Sequence, residues 1–136
     1  MSVNSSNTRT TELSIKCGKV FLRPDNILCI DLKEDHVVEM TDQDDINAAI
    51  GKIANGNKYL ILTIGGKYTS FSQEVIENSA APQNFKHTLA DAFVINSTHQ
   101  RLLANFYVKV VKPPVPTRYF EKQEEAIKWL HSLFKK

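Results

Sequence analysis

"YLILTIGGKYTSFSQE", residues 59–74, is the stretch on which the fold is decided. Leu60, Ile61, Leu62 and Ile64 form an apolar run with no polar residue set between them in alternation. A strand with one wet face alternates apolar and polar residues, whereas one covered on both faces reads as a continuous apolar run. Strands of the second kind belong to sheets sandwiched by helices. Gly65 and Gly66 then break the run, and Ser70 stands three residues before Gln73, the spacing of a capping box. Phe71, Val75 and Ile76 supply an apolar side to a short helix, and Pro82 ends it. The stretch therefore reads as buried strand, turn, helix.

The same unit recurs downstream. "DAFVIN" (91–96) is a second buried strand, and Ser97 with Gln100 repeats the capping-box spacing. The helix that follows carries Leu102, Leu103, Phe106, Tyr107 and Val110 on one side until "KPPVP" (112–116) stops it. "TRYF" (117–120) is a short strand, and Ala126, Trp129, Leu130 and Leu133 make the inner face of a closing helix. Upstream, "TDQDDINAAIGKIANG" (41–56) is a helix capped at Thr41 with Asp44 behind it. Ile46, Ala49, Ile50, Ile53 and Ala54 form its apolar stripe, and Asn55-Gly56 terminates it.

Before that helix, Leu13, Ile15 and Cys17 alternate as in a half-buried strand. This element continues past a bulge at Gly18 to Val20 and Leu22. "RPDN" (23–26) turns the chain, and Leu28, Ile30 and Leu32 return it as an antiparallel hairpin. Strands separated by helices run parallel with right-handed crossovers. The expected architecture is an α/β domain: a mixed five-stranded sheet, hairpin first and parallel strands after, flanked by four helices. Residues 1–10 are polar and expected to be a flexible tail, with 11–136 as a single domain.

Composition narrows the function classes. A formal charge of +2 without a clustered basic face argues against nucleic acid. No apolar stretch approaches the roughly 20 residues of a membrane span, and the polar start is unlike a signal peptide, so a cytoplasmic location is expected. Cys17 and Cys29 are expected to be buried, reduced thiols, although strands joined by a turn could bring them face to face. His36, His87, His99 and His131 are scattered without metal-ligand spacing, and no cofactor-binding motif is present. Asp42, Asp44 and Asp45 open a helix, where negative charge is favourable in any case.

In parallel sheets, functional loops gather beyond the carboxyl ends of the strands. Two such loops are identifiable, one after each buried strand. If the strands are neighbours, Lys67, Thr69, Ser70 and Ser72 converge with Ser97, His99 and Arg101 into one surface for a small anion or a partner. Ser70 and Ser97 are equally what a helix cap requires. No catalytic group is assigned: GxSxG is absent, and His87 four residues before Asp91 fixes no geometry.

Across residues 12–136 the element order and the segments "FLRPDNILCIDL", "GGKYTSFS", "HTLADAFVINS", "LLANFY" and "KPPVPTRYF" resemble the STAS domain family, the anti-sigma-factor antagonist type. Within it they are similar to small uncharacterised bacterial proteins classed as SpoIIAA-like. The resemblance implies a non-catalytic regulatory module that binds another protein, a kinase or regulator. It also implies control by phosphorylation of a serine at the start of the second main helix, carried here by Ser70 or Ser72. A phosphate brings nearly two negative charges to such an interface.

Two other functions are weighed beside this one. A carrier of a small ligand, lipid or anion, would use Phe71, Tyr68, Phe85 and Phe106 as an apolar lining. A hydrolase would use His87 or His99, though no activated nucleophile is visible. A homodimer through exposed sheet edges or helix faces is a further possibility.

Overall fold

The decisive strand lies at the centre of the sheet. A computed structural model describes residues 10–133. The main sheet contains β1 (Glu12–Ile15), β2 (Gly18–Leu22), β3 (Ile27–Leu32), β5 (Tyr59–Ile64), β7 (Thr88–Val94) and β8 (Thr117–Phe120), in the spatial order β1-β2-β3-β5-β7-β8. The first three strands pair antiparallel; β3, β5, β7 and β8 pair parallel. The short strands β4 (Val37–Val38) and β6 (Ser70–Phe71) form a separate parallel pair. The helices are α1 (Met40–Ala54), α2 (Gln73–Asn78), α3 (Thr98–Phe106) and α4 (Gln123–Leu133). The expected flexible tail lies, apart from Thr10, outside the described residues.

The sheet has six strands where five were expected. The element read as bulged at Gly18 is two strands joined by a tight turn at Lys16 and Cys17, with Ile15 paired to Gly18. Gly18 has φ 153°, and a Cβ built on it would lie 2.1 Å from the Asp31 carbonyl oxygen. Only a residue without a side chain lets β3 approach so closely. Gly18→Ala is expected to cost roughly 3 kcal/mol, read as a lowered urea midpoint at unchanged slope. A midpoint equal to the parent's would contradict this packing.

From β3 through β5 and β7 to β8 the chain always steps the same way across the sheet. Right-handed crossovers taken in one direction place all the crossover helices on one face. On that face α1 contributes Ile46, Ala49, Ile50 and Ile53 to a core with Val20, Leu28, Ile30, Leu32 and Ile61. α4 has no strand to follow it and folds over the opposite face, where Ala126 and Leu130 pack on Ile27, Cys29, Leu62, Ala90 and Ala92. The alanines leave room for a helix to sit close. In β5, Ile61 therefore serves one core and Leu62 the other, which is why its sequence does not alternate.

Cys17 and Cys29 are both buried free thiols. They belong to different cores and so lie under different faces of the sheet. Burial pushes both thiols up, Cys17 to about 11 and Cys29 to about 12, which leaves them protonated and inert.

Two helix starts differ from expectation. α1 is capped at Glu39 rather than Thr41, with the Asp42 carboxylate accepting the Glu39 amide at 2.9 Å. α2 is capped by Ser72, whose hydroxyl accepts the Val75 amide at 3.1 Å. Ser70, expected as that cap, sits two residues earlier in β6, because the Ser70 and Ser72 amides are drawn to the carbonyls of His36 and Val38. No helix among the described residues is long and apolar enough to cross a membrane.

Candidate functional site

β5 and β7 are neighbours, so the turns leaving them lie side by side. Ser70 Oγ and His99 Nε2 are 2.8 Å apart, which joins the first turn to the second across 29 residues of sequence. Gln100 makes the junction firm. Its side-chain amide donates to the Gly66 carbonyl at 2.8 Å and the Thr69 carbonyl at 3.0 Å, while its oxygen accepts the Asn96 amide at 2.6 Å. Gln100 is buried, so these bonds are made away from water, where leaving a polar group unpaired is costly.

The two glycines are explained by this clasp. A Cβ on Gly65 would lie 2.6 Å from Gln100 Oε1. One on Gly66 would meet the Leu32 carbonyl at 2.7 Å and the Glu34 amide at 2.9 Å. They let the turns close on each other. Several backbone amides of the turns are already engaged: Gly65 with Val94, Thr69 with Gly66, Ser70 with His36, and Ser72 with Val38. What the pair presents outward is mainly side chains.

The candidate residues take different parts. The Thr69 hydroxyl is buried against the Lys33 carbonyl at 2.7 Å. The Ser72 and Ser97 hydroxyls cap α2 and α3. Arg101 is exposed and ion-paired with Glu121. His99 is exposed and Ser70 half-exposed. Lys67 is exposed, with its ammonium 5.4 Å from the ring centre of Tyr68. Tyr68 is 66% exposed at φ 63°, a conformation in which a non-glycine residue is uncommon. An exposed aromatic held at such a φ is a feature that clusters at contact sites. His87, by contrast, contacts the Asn57 carbonyl at 3.1 Å, and the side-chain bond to Asp91 comes from Thr63.

A second feature lies between the sheet and the helices α1, α2 and α3: a cleft of about 150 Å³. α2 has six residues and α3 nine, too few to cover the face, and one of the inward residues of α3 is the small Ala104. Phe71 and Phe85 line the cleft. Tyr68 and Phe106 do not; Phe106 is 46% exposed. α3 and the π-helical turn that follows it (Tyr107–Val111) are the reason: Leu103 and Tyr107 turn inward, while Leu102, Phe106 and Val110 face outward. Phe93 meets Tyr107 edge-on at 5.6 Å between ring centres.

Asp91 stands in the wall of this cleft. Its Oδ1 accepts the Thr63 hydroxyl at 3.1 Å. The carboxyl is surrounded by protein yet keeps accessible surface, because it faces the cleft. Burial raises it to about 7 against the opposing pull of the Thr63 bond. Burial, and then the nearby Asp91 charge, push Tyr107 above its ordinary range. In the first turn of α1, Asp42 is also buried, and burial alone would raise it. The Glu39 amide and His36, whose Nε2 lies 2.9 Å from Asp42 Oδ2, hold it below its ordinary value instead. Among the described residues no group of histidine, cysteine or carboxylate side chains could hold a metal ion.

The roles of two of these residues are not marked by any motif in the sequence. By spacing Gln100 is a capping partner, and Asp91 opens the apolar run "DAFVIN", although β7 itself starts three residues earlier, at Thr88. A lone carboxyl inside the apolar run "TLADAFVI" was the available signal for the second.

A family model described as "Domain of unknown function (DUF7793)" matches residues 20–134, and the chain belongs to that family. No curated protein matches the chain. Among solved structures, an uncharacterised protein of the DUF3478 family with a SpoIIAA-like fold, from Shewanella loihica PV-4, superposes with a TM-score of 0.61. The identity is 13%, over 96% of this chain and 98% of that one. The expected SpoIIAA-like α/β fold is thereby found.

Proposed function

We propose that this member of the DUF7793 family is a non-catalytic, STAS-like regulatory module that binds another protein through the joined turns, with Ser70 as the point of control. The observation that carries the reading is the Ser70–His99 contact, backed by the buried Gln100 clasp. It makes one preorganised surface out of two loops, and preorganisation lowers the ordering cost of binding. Tyr68, exposed and set against Lys67, supplies an aromatic anchor of the kind that dominates interface energetics. Of the two candidate serines, Ser72 is committed to capping α2, whereas the Ser70 hydroxyl lies in the surface itself. A phosphate on Ser70 would displace the bond to His99 and place negative charge in the contact.

A serine beside a histidine is also how hydrolytic nucleophiles are activated. Here His99 is exposed, and among the described residues no carboxylate orients its other ring nitrogen. The reading is therefore of a binding surface without a reaction of its own.

The test is affinity capture with the parent chain, Ser70→Glu, Tyr68→Ala and, as a distant control, Lys52→Ala on α1. A partner retained by the parent and by Lys52→Ala should be lost or weakened at least tenfold with both turn variants. A partner set identical across all four chains would overturn the reading. A second copy of this chain is one candidate partner, and sedimentation of the same variants over a range of concentrations tests it directly.

A further inference from the structure

The cleft between the sheet and α1, α2 and α3 is a feature that the contact surface does not use. It is bounded by Ile50, Ile61, Phe71, Phe85, Phe93 and Leu103, with Asp91 set among them. A dry cavity of roughly 150 Å³ with apolar walls is large enough to hold a benzene ring. This one differs in opening to solvent, in having neutral polar side chains in its lining, and in holding a carboxyl with a single side-chain hydrogen bond, from Thr63, and no ion pair among the described residues. A carboxyl in an apolar wall opposes folding unless something compensates it. No lysine, arginine or histidine lines the cleft. The other ionisable side chain there is Tyr107, from the turn after α3. α1 contributes the neutral amides Gln43 and Asn47, and β5 the Thr63 hydroxyl. An anion would find no counter-charge and would meet Asp91; an ammonium would find its only charged partner there.

We propose that the cleft binds a small organic cation, a primary amine on a compact apolar body, with the ammonium against Asp91 and the body among the aromatic and aliphatic walls. Charge complementarity selects the head group and the cleft volume selects the body. The cleft lies under the joined turns and shares Gly65 and Gln100 with them, but its charged group is Asp91 and the contact is made by Ser70 and His99, so failure of either reading leaves the other standing. Binding requires the ionised carboxyl, and burial raises Asp91 to about 7, so affinity should fall as the solution is acidified.

The experiment is a titration of the 15N-labelled chain with benzylamine, toluene, benzyl alcohol and benzoate, following the amide signals of Thr63, Asp91 and Phe93. At pH 8 benzylamine is expected to shift these signals and to bind at least tenfold more tightly than benzyl alcohol, while benzoate leaves them unmoved. In the unmodified chain benzylamine affinity should weaken by up to about tenfold per pH unit below pH 7, with toluene affinity constant. Asp91→Asn should reduce benzylamine binding at least tenfold and keep that of toluene. The proposal is overturned by signals that do not move with benzylamine, by benzyl alcohol matching it, or by an affinity in the unmodified chain that is flat from pH 5.5 to 8. The last comparison needs no variant to fold.

Discussion

Asp91→Asn is expected to stabilise the protein at pH 8 by about 2–4 kcal/mol, a large gain for a change of one atom. The folded-state carboxyl is raised from its ordinary 3.8 to about 7 because burial disfavours its charge. At low pH, where Asp91 is neutral in both the folded and unfolded chains, it costs nothing. As pH rises past about 4 the unfolded chain ionises while the folded chain resists, and stability is lost progressively until about pH 7. Above that the loss is constant. The separation of these values, at about 1.36 kcal/mol per unit, sets a ceiling of about 4 kcal/mol. Asparagine keeps an oxygen for the Thr63 hydroxyl and cannot ionise.

Urea unfolding of both chains from pH 4 to 8 checks this prediction. The difference between them should be small at pH 4, grow to pH 7 and then level off. A variant no more stable than the parent at pH 8, with a difference that ignores pH, would contradict the account. Asp42 works in the opposite direction. Its value is held down by the Glu39 amide and His36 despite burial, so its contribution is present above about pH 4 and is lost on further acidification. Asp42 is common to both chains, and the comparison cancels it. Asp91→Asn is also the change that removes the charge from the cleft, so stability and amine binding should move in opposite directions, a trade-off usual at binding sites.

Gln100→Ala is expected to be the most damaging substitution in the joined turns. It leaves the Asn96 amide and the Gly66 and Thr69 carbonyls without their partner. Each buried polar group left unpaired costs about 1–3 kcal/mol, and water entering the gap would recover part of it, so a loss of roughly 3 kcal/mol is expected. The helix itself should survive, since Ser97 still caps the backbone of residue 100 at 3.1 Å. Thermal unfolding gives the loss, and amide hydrogen exchange locates it. Residues 65–70 and 95–97 should lose protection together while β3 and β5 keep theirs. Faster exchange spread evenly over the sheet would show that Gln100 is ordinary packing and not a clasp.

The fold was legible because its signals are local. The unalternating run at 60–64 announced a strand with two covered faces, and Ile61 and Leu62 do serve opposite cores. The stripe Ile46, Ala49, Ile50, Ile53 and Ala54 announced α1, and all five are buried. The two-strand start was hidden because a tight turn and a bulge at Gly18 have the same local sequence. The carbonyl that demands glycine there belongs to Asp31, distant in sequence.

The site was legible only in outline. Adjacent parallel strands bring their turns together, and that much follows from topology. That Ser70 would be drawn into β6 depends on carbonyls of His36 and Val38, which no spacing around Ser70 encodes. Periodicity grouped Leu102, Phe106 and Val110 with Leu103 and Tyr107, but only the second pair turns toward the cleft, and both of its members stay half-buried. The cleft arises from what α2 and α3 fail to cover, so no motif in the sequence marks it.

If the two turns act as one contact surface, Ser70 and His99 must contribute to binding together. The most direct test is the affinity of a captured partner for the parent chain, Ser70→Ala, His99→Ala and the double variant. Each single change should weaken binding, and the double variant should be little worse than the weaker single, because the two side chains act through one contact. Losses that simply add, or a loss confined to one turn, would contradict it.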